Sequence, residues 1–434
     1  MRVLVIAHNV ISETNNMGKT LLSYFKDFAP EEVAEFYIQD KDPKNAEVSN
    51  NYYRFTDRDA LKSVFGIRTK HVFKISEAEK EITKPNNKGV VESIRQYGRK
   101  RNAFVYIARN AVWSLAHWKT REFIDWLNDF NPDLIFFMAG DYSFMFKITR
   151  EIKEMLNKPL VVCCVDDYFF FNRNDKTFLG RLQHRAYMKN VAKTMAEASC
   201  IFTISDLMGE AYRKLFGKPC QTLHTSAVKR ECNCGNRGKT VAYFGNLSFR
   251  RFEQLAEIGK AVKKIGIDGI DGVDVYSAEN NPEYLQGLTE ENGIRFHGKI
   301  PSSEVAERMD GCLAIIHTES FRQRMQQMVK YSVSTKIADS LLNGPCLIAY
   351  GPEEVASINY LKKNKAAYVI VKPDDLEDGL REVLSNENLR TEIVRNAREL
   401  AAKNHDAASN PKKLKEHLMM IAEENIRDTV KNDV

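Results

Sequence analysis

Short apolar runs, rich in β-branched and aromatic residues, alternate with longer amphipathic stretches along the whole chain. In the first half the runs are RVLVIAH, EFYIQD, DLIFFMAG, PLVVCCVDD and CIFTISD; in the second, KTVAYFGN, VDVYSA, IRFHGKI, CLAIIHTE, PCLIAYG and AAYVIVK. Helical patterns such as SFMFKITREIKEMLNK and FEQLAEIGKAVKKIG lie between them. Runs that are apolar at nearly every position predict strands covered on both faces, as in parallel sheets flanked by helices. The polar, glycine-bearing stretch KRECNCGNRGK interrupts this alternation, which then restarts. The pattern predicts an α/β protein of two doubly wound, Rossmann-like domains: 1–227, a linker at 228–238, and 239–412, followed by a last helix at about 413–434. Open α/β sheets bind ligands beyond the carboxyl ends of their strands. A central cleft between two such domains is therefore the expected site.

Bulk properties narrow the class. At 434 residues the chain exceeds one ordinary core, and a net charge of +6 permits anionic partners without demanding nucleic acid. No recognition module accompanies the charge, so no nucleic-acid partner is expected. No apolar run reaches the roughly 20 residues of a membrane span, and MRVLVIAHNV reads as a first strand rather than a signal peptide, which places the protein in the cytoplasm. Of the eight cysteines, Cys163, Cys164, Cys200, Cys312 and Cys346 fall in apolar runs and behave as small hydrophobes. Cys220, Cys232 and Cys234, with His224, lack the paired spacing of a zinc site.

The stretch YSVSTKIADSLLNGPCLIAYGP, residues 331–352, carries the clearest candidate chemistry. Ser334 can cap a helix, Ile337, Ala338, Leu341 and Leu342 form its apolar stripe, and Gly344 stops it before a buried strand. Lys336, Asp339, Ser340 and Asn343 fall on the opposite face. Hydroxyls, a cation and a carboxylate at a helix N-terminus could hold a phosphorylated ligand; an ordinary surface helix has the same pattern.

Other candidates sit at strand ends. The first strand ends at His8 and leads to Gly18-Lys19-Thr20, which fails the P-loop spacing because the earlier glycine would fall at Glu13. A glycine-containing turn entering a helix remains, whose free N–H groups can meet a phosphate or hydroxyl. Asp166 and Asp167 can bind hydroxyls, act as a base or cap a loop; capping accounts for Ser205 and Asp206. In the second half Gly245 allows close backbone approach, and Arg250 and Arg251 can fork onto a diphosphate. Main chain at Lys299–Ile300 could read a flat base, and CLAIIHTE ends in His317 and Glu319.

Together these residues resemble GT-B fold glycosyltransferases, most nearly the family 4-like enzymes of bacterial surface polysaccharide synthesis. The likeness is closest at Ser334-Thr335-Lys336-Ile337, Asp339, Asn343-Gly344 and Ala349-Tyr350-Gly351-Pro352. It implies a nucleotide-diphosphate sugar as donor and a carbohydrate or lipid-linked acceptor. Asp339 would contact the ribose. Gly245, and Arg250 or Arg251, would lie at the diphosphate, Lys299 and Ile300 at the base, and Asn246, Ser334 and Thr335 would also bind the donor. Gly18 and Lys19 would bind substrate or donor at a glycine-containing loop with the acceptor site nearby, where His8, Asp166 and Asp167 are the candidates. The last helix would return to brace the N-terminal domain. The family's first acid falls here at Tyr331, so Glu319 or another nearby group takes its part, or the donor is held differently. A clamp of Arg250, Arg251 and Lys336 could stabilise charge on the leaving diphosphate without a metal. The Asp-x-Asp pairs Asp40/Asp42 and Asp57/Asp59 lie outside the donor half. Family resemblance suggests retention of configuration; the residues do not decide it.

Residues 94–126 concentrate arginine, lysine and aromatic side chains around a stripe of Ile107, Ala111, Leu115 and Trp118. Such a surface could lie on an anionic membrane, or be a packed helix with solvated charges, among them Arg101, Arg109, Lys119 and Arg121. A sugar-nucleotide 2-epimerase of the same fold, or a non-catalytic partner subunit, are the competing functions.

Overall fold

The computed structural model describes residues 1–13, 16–43, 47–67, 69, 71–74, 103–172, 176–230 and 238–432. Residues 94–102 of the basic segment (with Arg101), most of the expected linker (231–237) and Cys232 and Cys234 lie outside the described residues. The chain forms two compact units, one of residues 1–223 with 411–434 and one of residues 224–410.

The first unit is built on an eight-stranded sheet in the order β4-β3-β2-β1-β5-β6-β7-β8. The apolar runs form β1 (Val3–Ala7), β2 (Val33–Tyr37), β5 (Leu134–Ala139), β6 (Leu160–Cys164) and β7 (Cys200–Thr203). Three short strands, β3 (Asn51–Arg54), β4 (Val72–Lys74) and β8 (Cys220–Thr222), are too brief and too polar to announce themselves. All neighbours pair in parallel except β3 with β4. Strands β1, β2, β5 and β6 are buried at every position, as expected of strands sandwiched between helices.

The C-terminal helix Asn410–Asn432 belongs to this unit. Leu414 and Leu418 enter the same core as Val3, Val5 and Phe136, and Lys415 bonds Glu32 at 2.6 Å. Among the described residues no helix is long and apolar enough to cross a membrane.

The second unit carries a six-stranded, wholly parallel sheet in the order β11-β10-β9-β12-β13-β14. Its strands are β9 (Thr240–Phe244), β10 (Val273–Tyr276), β11 (Ile294–Gly298), β12 (Cys312–Thr318), β13 (Cys346–Tyr350) and β14 (Tyr368–Ile370). Strand order reverses between β9 and β12 here, and between β1 and β5 in the first unit. At such a reversal the connections leave in opposite directions and open a crevice at the carboxyl ends of the strands.

Candidate functional site

The turn after β9 is shaped by two local constraints. A Cβ on Gly245 would lie 2.5 Å from the Tyr243 hydroxyl, which itself donates to the Asn246 carbonyl at 2.6 Å. Only glycine fits beneath that ring. Phe249 and Arg250 then take positive φ, 60° and 61°, which costs a non-glycine residue about 1–2 kcal/mol each. The Arg250 side chain is tied down at both ends of its fork, to Glu253 at 2.7 Å and Glu283 at 3.1 Å. Glu253 also accepts two bonds from Arg322, at 2.6 and 2.7 Å, a partner that spacing in the sequence does not reveal.

The helix Arg251–Ile265 starts at this turn, and its first residue turns inward. Arg251 donates to Glu319 through Nε at 3.1 Å and Nη2 at 2.8 and 2.9 Å, and to Asn246 Oδ1 at 3.0 Å. The pair is enclosed, with side chains 13% and 3% exposed. Glu319 follows β12, and its backbone meets Gly351, where a Cβ would approach the Glu319 carbonyl to 3.0 Å. Glu319 is thus committed to an ion pair with Arg251, and the free carboxylate that Tyr331 fails to supply does not come from it. Tyr331 itself is buried at 9% exposure.

His317, two residues earlier, places Nε2 3.0 Å from the Ser357 hydroxyl and 3.6 Å from Glu319. Burial, aided by Arg251 and Lys336 against the opposing Glu319, lowers its pKa to about 4. The ring is therefore neutral at pH 7.

Lys336 lies in the first turn of the helix Thr335–Asn343. It makes no hydrogen bond or ion pair among the described residues. Partial desolvation lowers its ammonium, and the charge of Arg251 lowers it further. A second cation thus stands within electrostatic reach of Arg251 near the end of β12. Asp339, one turn on, has Arg230 as the charge acting on it; desolvation raises its carboxyl and Arg230 opposes the rise.

Two details depart from the sequence reading of this helix. Ser334 occupies the N-cap position but its hydroxyl caps no N–H; Ile337 donates instead to the Ser334 carbonyl at 3.0 Å, and the N–H groups of Thr335 and Lys336 remain for a ligand. Asn343 is buried rather than on the polar face: its amide donates to the Val228 carbonyl at 3.0 Å and accepts from Arg230 N at 3.1 Å. Arg230 continues to Asp310 at 2.9 Å, so the first residues of the expected linker are docked onto the second unit. Lys299 is exposed and Ile300 half-buried just after Gly298, whose φ of +70° turns the chain at the end of β11.

In the first unit His8 follows β1 and stacks on Tyr142, which follows β5, with centroids 4.6 Å apart. Arg109 Nη2 lies 3.1 Å from His8 Nε2, and its guanidinium carbon is 3.9 Å from the Tyr142 ring centroid. Asp57 ties the group together, accepting from Arg109 at 2.8 Å and Trp113 Nε1 at 2.7 Å. Burial and Arg109 lower the His8 pKa to about 4. Gly18 is not in a turn; it is the third residue of the helix Asn16–Phe25, buried, with Lys19 exposed beside it. Asp167 accepts the N–H groups of Phe169 and Phe170 at 3.0 and 3.1 Å, the geometry of a loop cap. Asp166 accepts from Tyr168 at 3.1 Å. Of the predicted stripe in 94–126, Trp118 is buried but Leu115 is 65% exposed; the helix Ala103–Leu115 buries Ala103, Tyr106 and Trp113 instead.

Residues 250–416 match the glycosyl transferase-like family. No curated protein matches the chain. Similar solved structures span nearly all of it. HepE of Anabaena, in complex with UDP and glucose, is 12% identical, with 97% of this chain and 100% of that one covered at a TM-score of 0.58. A variant of S. aureus TarM, in complex with fondaparinux, α-GlcNAc-glycerol and UDP, is 10% identical, with 96% and 99% covered at 0.59. An α,α-trehalose-phosphate synthase of Burkholderia xenovorans, in complex with glucose-6-phosphate, is 7% identical, with 96% and 100% covered at 0.57. The chain therefore has the GT-B fold, two Rossmann-like units of which the second carries a glycosyl transferase-like domain.

Proposed function

We propose that the protein is a glycosyltransferase that moves a sugar from a UDP-sugar to a carbohydrate or lipid-linked acceptor, in surface polysaccharide synthesis. The observation that carries this reading is Lys336, a helix-first-turn ammonium that makes no ion pair among the described residues and is lowered by desolvation and then by the charge of Arg251. A cation beside another cation is stabilised by an anion, and the free N–H groups at that helix end favour a phosphate. That UDP is bound by the HepE and TarM structures supports a uridine diphosphate as that anion.

The chemistry follows from charge. As the bond between the sugar and the β-phosphate breaks, negative charge gathers on the departing oxygen. Lys336 and the N–H groups of the helix Thr335–Asn343 stabilise it, with a smaller part from Arg250 and Arg251, whose charges are largely offset by Glu253 and Glu283 and by Glu319. Asp339 takes the ribose hydroxyls, Gly245 and Asn246 let the main chain approach the phosphates, and the main chain at Lys299–Ile300 meets the base. Transfer on this scheme needs no divalent metal and proceeds with retention at the anomeric carbon.

Calorimetry with UDP tests it. The wild-type chain is expected to bind, and Lys336→Met to bind about 10- to 100-fold more weakly, as for the loss of a charge-assisted hydrogen bond. Unchanged affinity in Lys336→Met, or absence of binding by the wild type, would end the proposal. Incubation with UDP-sugars and a chelator addresses the reaction: conversion of the sugar with nothing added to an acceptor marks an epimerase, and chelator-sensitive transfer removes the metal-free scheme.

A further inference from the structure

We propose that the helix Phe178–Glu197 of the first unit is a docking surface for an anionic lipid membrane. Its exposed face carries Arg181, Arg185, Lys189 and Lys193, four residues apart and all solvent-exposed. At the α-helical rise the row spans about 18 Å. The side chains of Arg185, Lys189 and Lys193 make no hydrogen bond or ion pair among the described residues. Glu197 is the one acid in the helix; it stands at the far end and pairs with Arg150 at 3.9 Å.

Apolar side chains gather at the other end. Phe178 is 75% exposed, Leu182 51% and Leu179 40%, with Lys176 exposed beside them. An isolated exposed apolar residue needs no explanation; an aromatic ring and two leucines heading a row of exposed cations do. A soluble polyanion would use the cations alone. A membrane uses both, because anionic headgroups attract the cations while the ring and leucines enter the headgroup–acyl boundary. The neighbouring basic segment is less suited, since Arg109, Lys119 and Arg121 pair with Asp57, Glu151 and Asp125. The surface is independent of the nucleotide-binding residues, all of which belong to the second unit.

Co-sedimentation of the full chain with phosphatidylglycerol-containing vesicles, and with phosphatidylcholine vesicles as control, tests the assignment. The wild type is expected to pellet with the anionic vesicles at low salt, to be released as salt rises, and to ignore the neutral ones. Each cation near such a surface is worth about five-fold in partition. The triple variant R185E/K189E/K193E should therefore lose at least about 100-fold, and Phe178→Ser several-fold, with melting temperatures unchanged. Should the triple variant fold poorly, K189E alone is expected to show about a five-fold loss or more. Absence of binding to anionic vesicles, or wild-type partition by the charge variants, would overturn the proposal. So would equal binding to soluble polyphosphate with no effect of Phe178→Ser on vesicle binding, which would mark a polyanion site instead.

Discussion

Arg251 and Glu319 are the residues whose chemistry is most constrained by their surroundings. Removing one member leaves the other charged and buried, so Glu319→Ala should lower unfolding free energy by about 3–5 kcal/mol in urea titration. Replacing both by apolar residues of similar volume should recover much of that loss. His317 makes a pH prediction. Its folded pKa of about 4 lies below the usual 6.5, so between those values the unfolded chain binds the proton more readily. Its contribution to stability is full above pH 6.5 and is lost as pH falls toward 4. His317→Gln should flatten the fall in melting temperature over that window, with His8, His184 and His405, all lowered by burial, supplying the residual slope. The sequence makes Lys336, Asp339, Gly245 and the two arginines visible because each stands at a strand end or helix start, where residue type and position carry the signal. It does not make visible that Arg251 spends its fork on Glu319, nor that Arg322 reaches Glu253, because those pairs join residues 68 and 69 positions apart.

Among elements, the β9 turn is the most sensitive to change. Gly245→Ala would drive a methyl into the Tyr243 ring, and the turn or the ring must shift. An overpacking cost of about 1–3 kcal/mol is expected in thermal unfolding, accompanied by weaker UDP binding because Asn246 and Arg251 move with the turn. The long apolar strands were legible since a run buried on both faces has no polar alternation to mislead. Strands β3, β4 and β8 were not, being three or four residues long and partly polar. The helix Thr335–Asn343 was legible in its limits but not in its faces: Asn343 satisfies the N–H and C=O of a distant segment, and a side chain that does so must be buried.

For the whole molecule, the helix Asn410–Asn432 is part of the first unit's core although it is last in sequence. Truncation after Asn410 removes two buried leucines, Leu414 and Leu418, and the Lys415–Glu32 pair. A loss of about 4–6 kcal/mol from the first unit follows from burial alone, so limited proteolysis of the truncated chain should degrade residues 1–223 while 224–410 resists. The same arrangement bears on synthesis. A ribosome delivers residues 224–410 as one uninterrupted piece, able to condense as soon as it emerges. The half made earliest must wait, its hydrophobic floor open beside β1, until residues 411–432 leave the exit tunnel and close it.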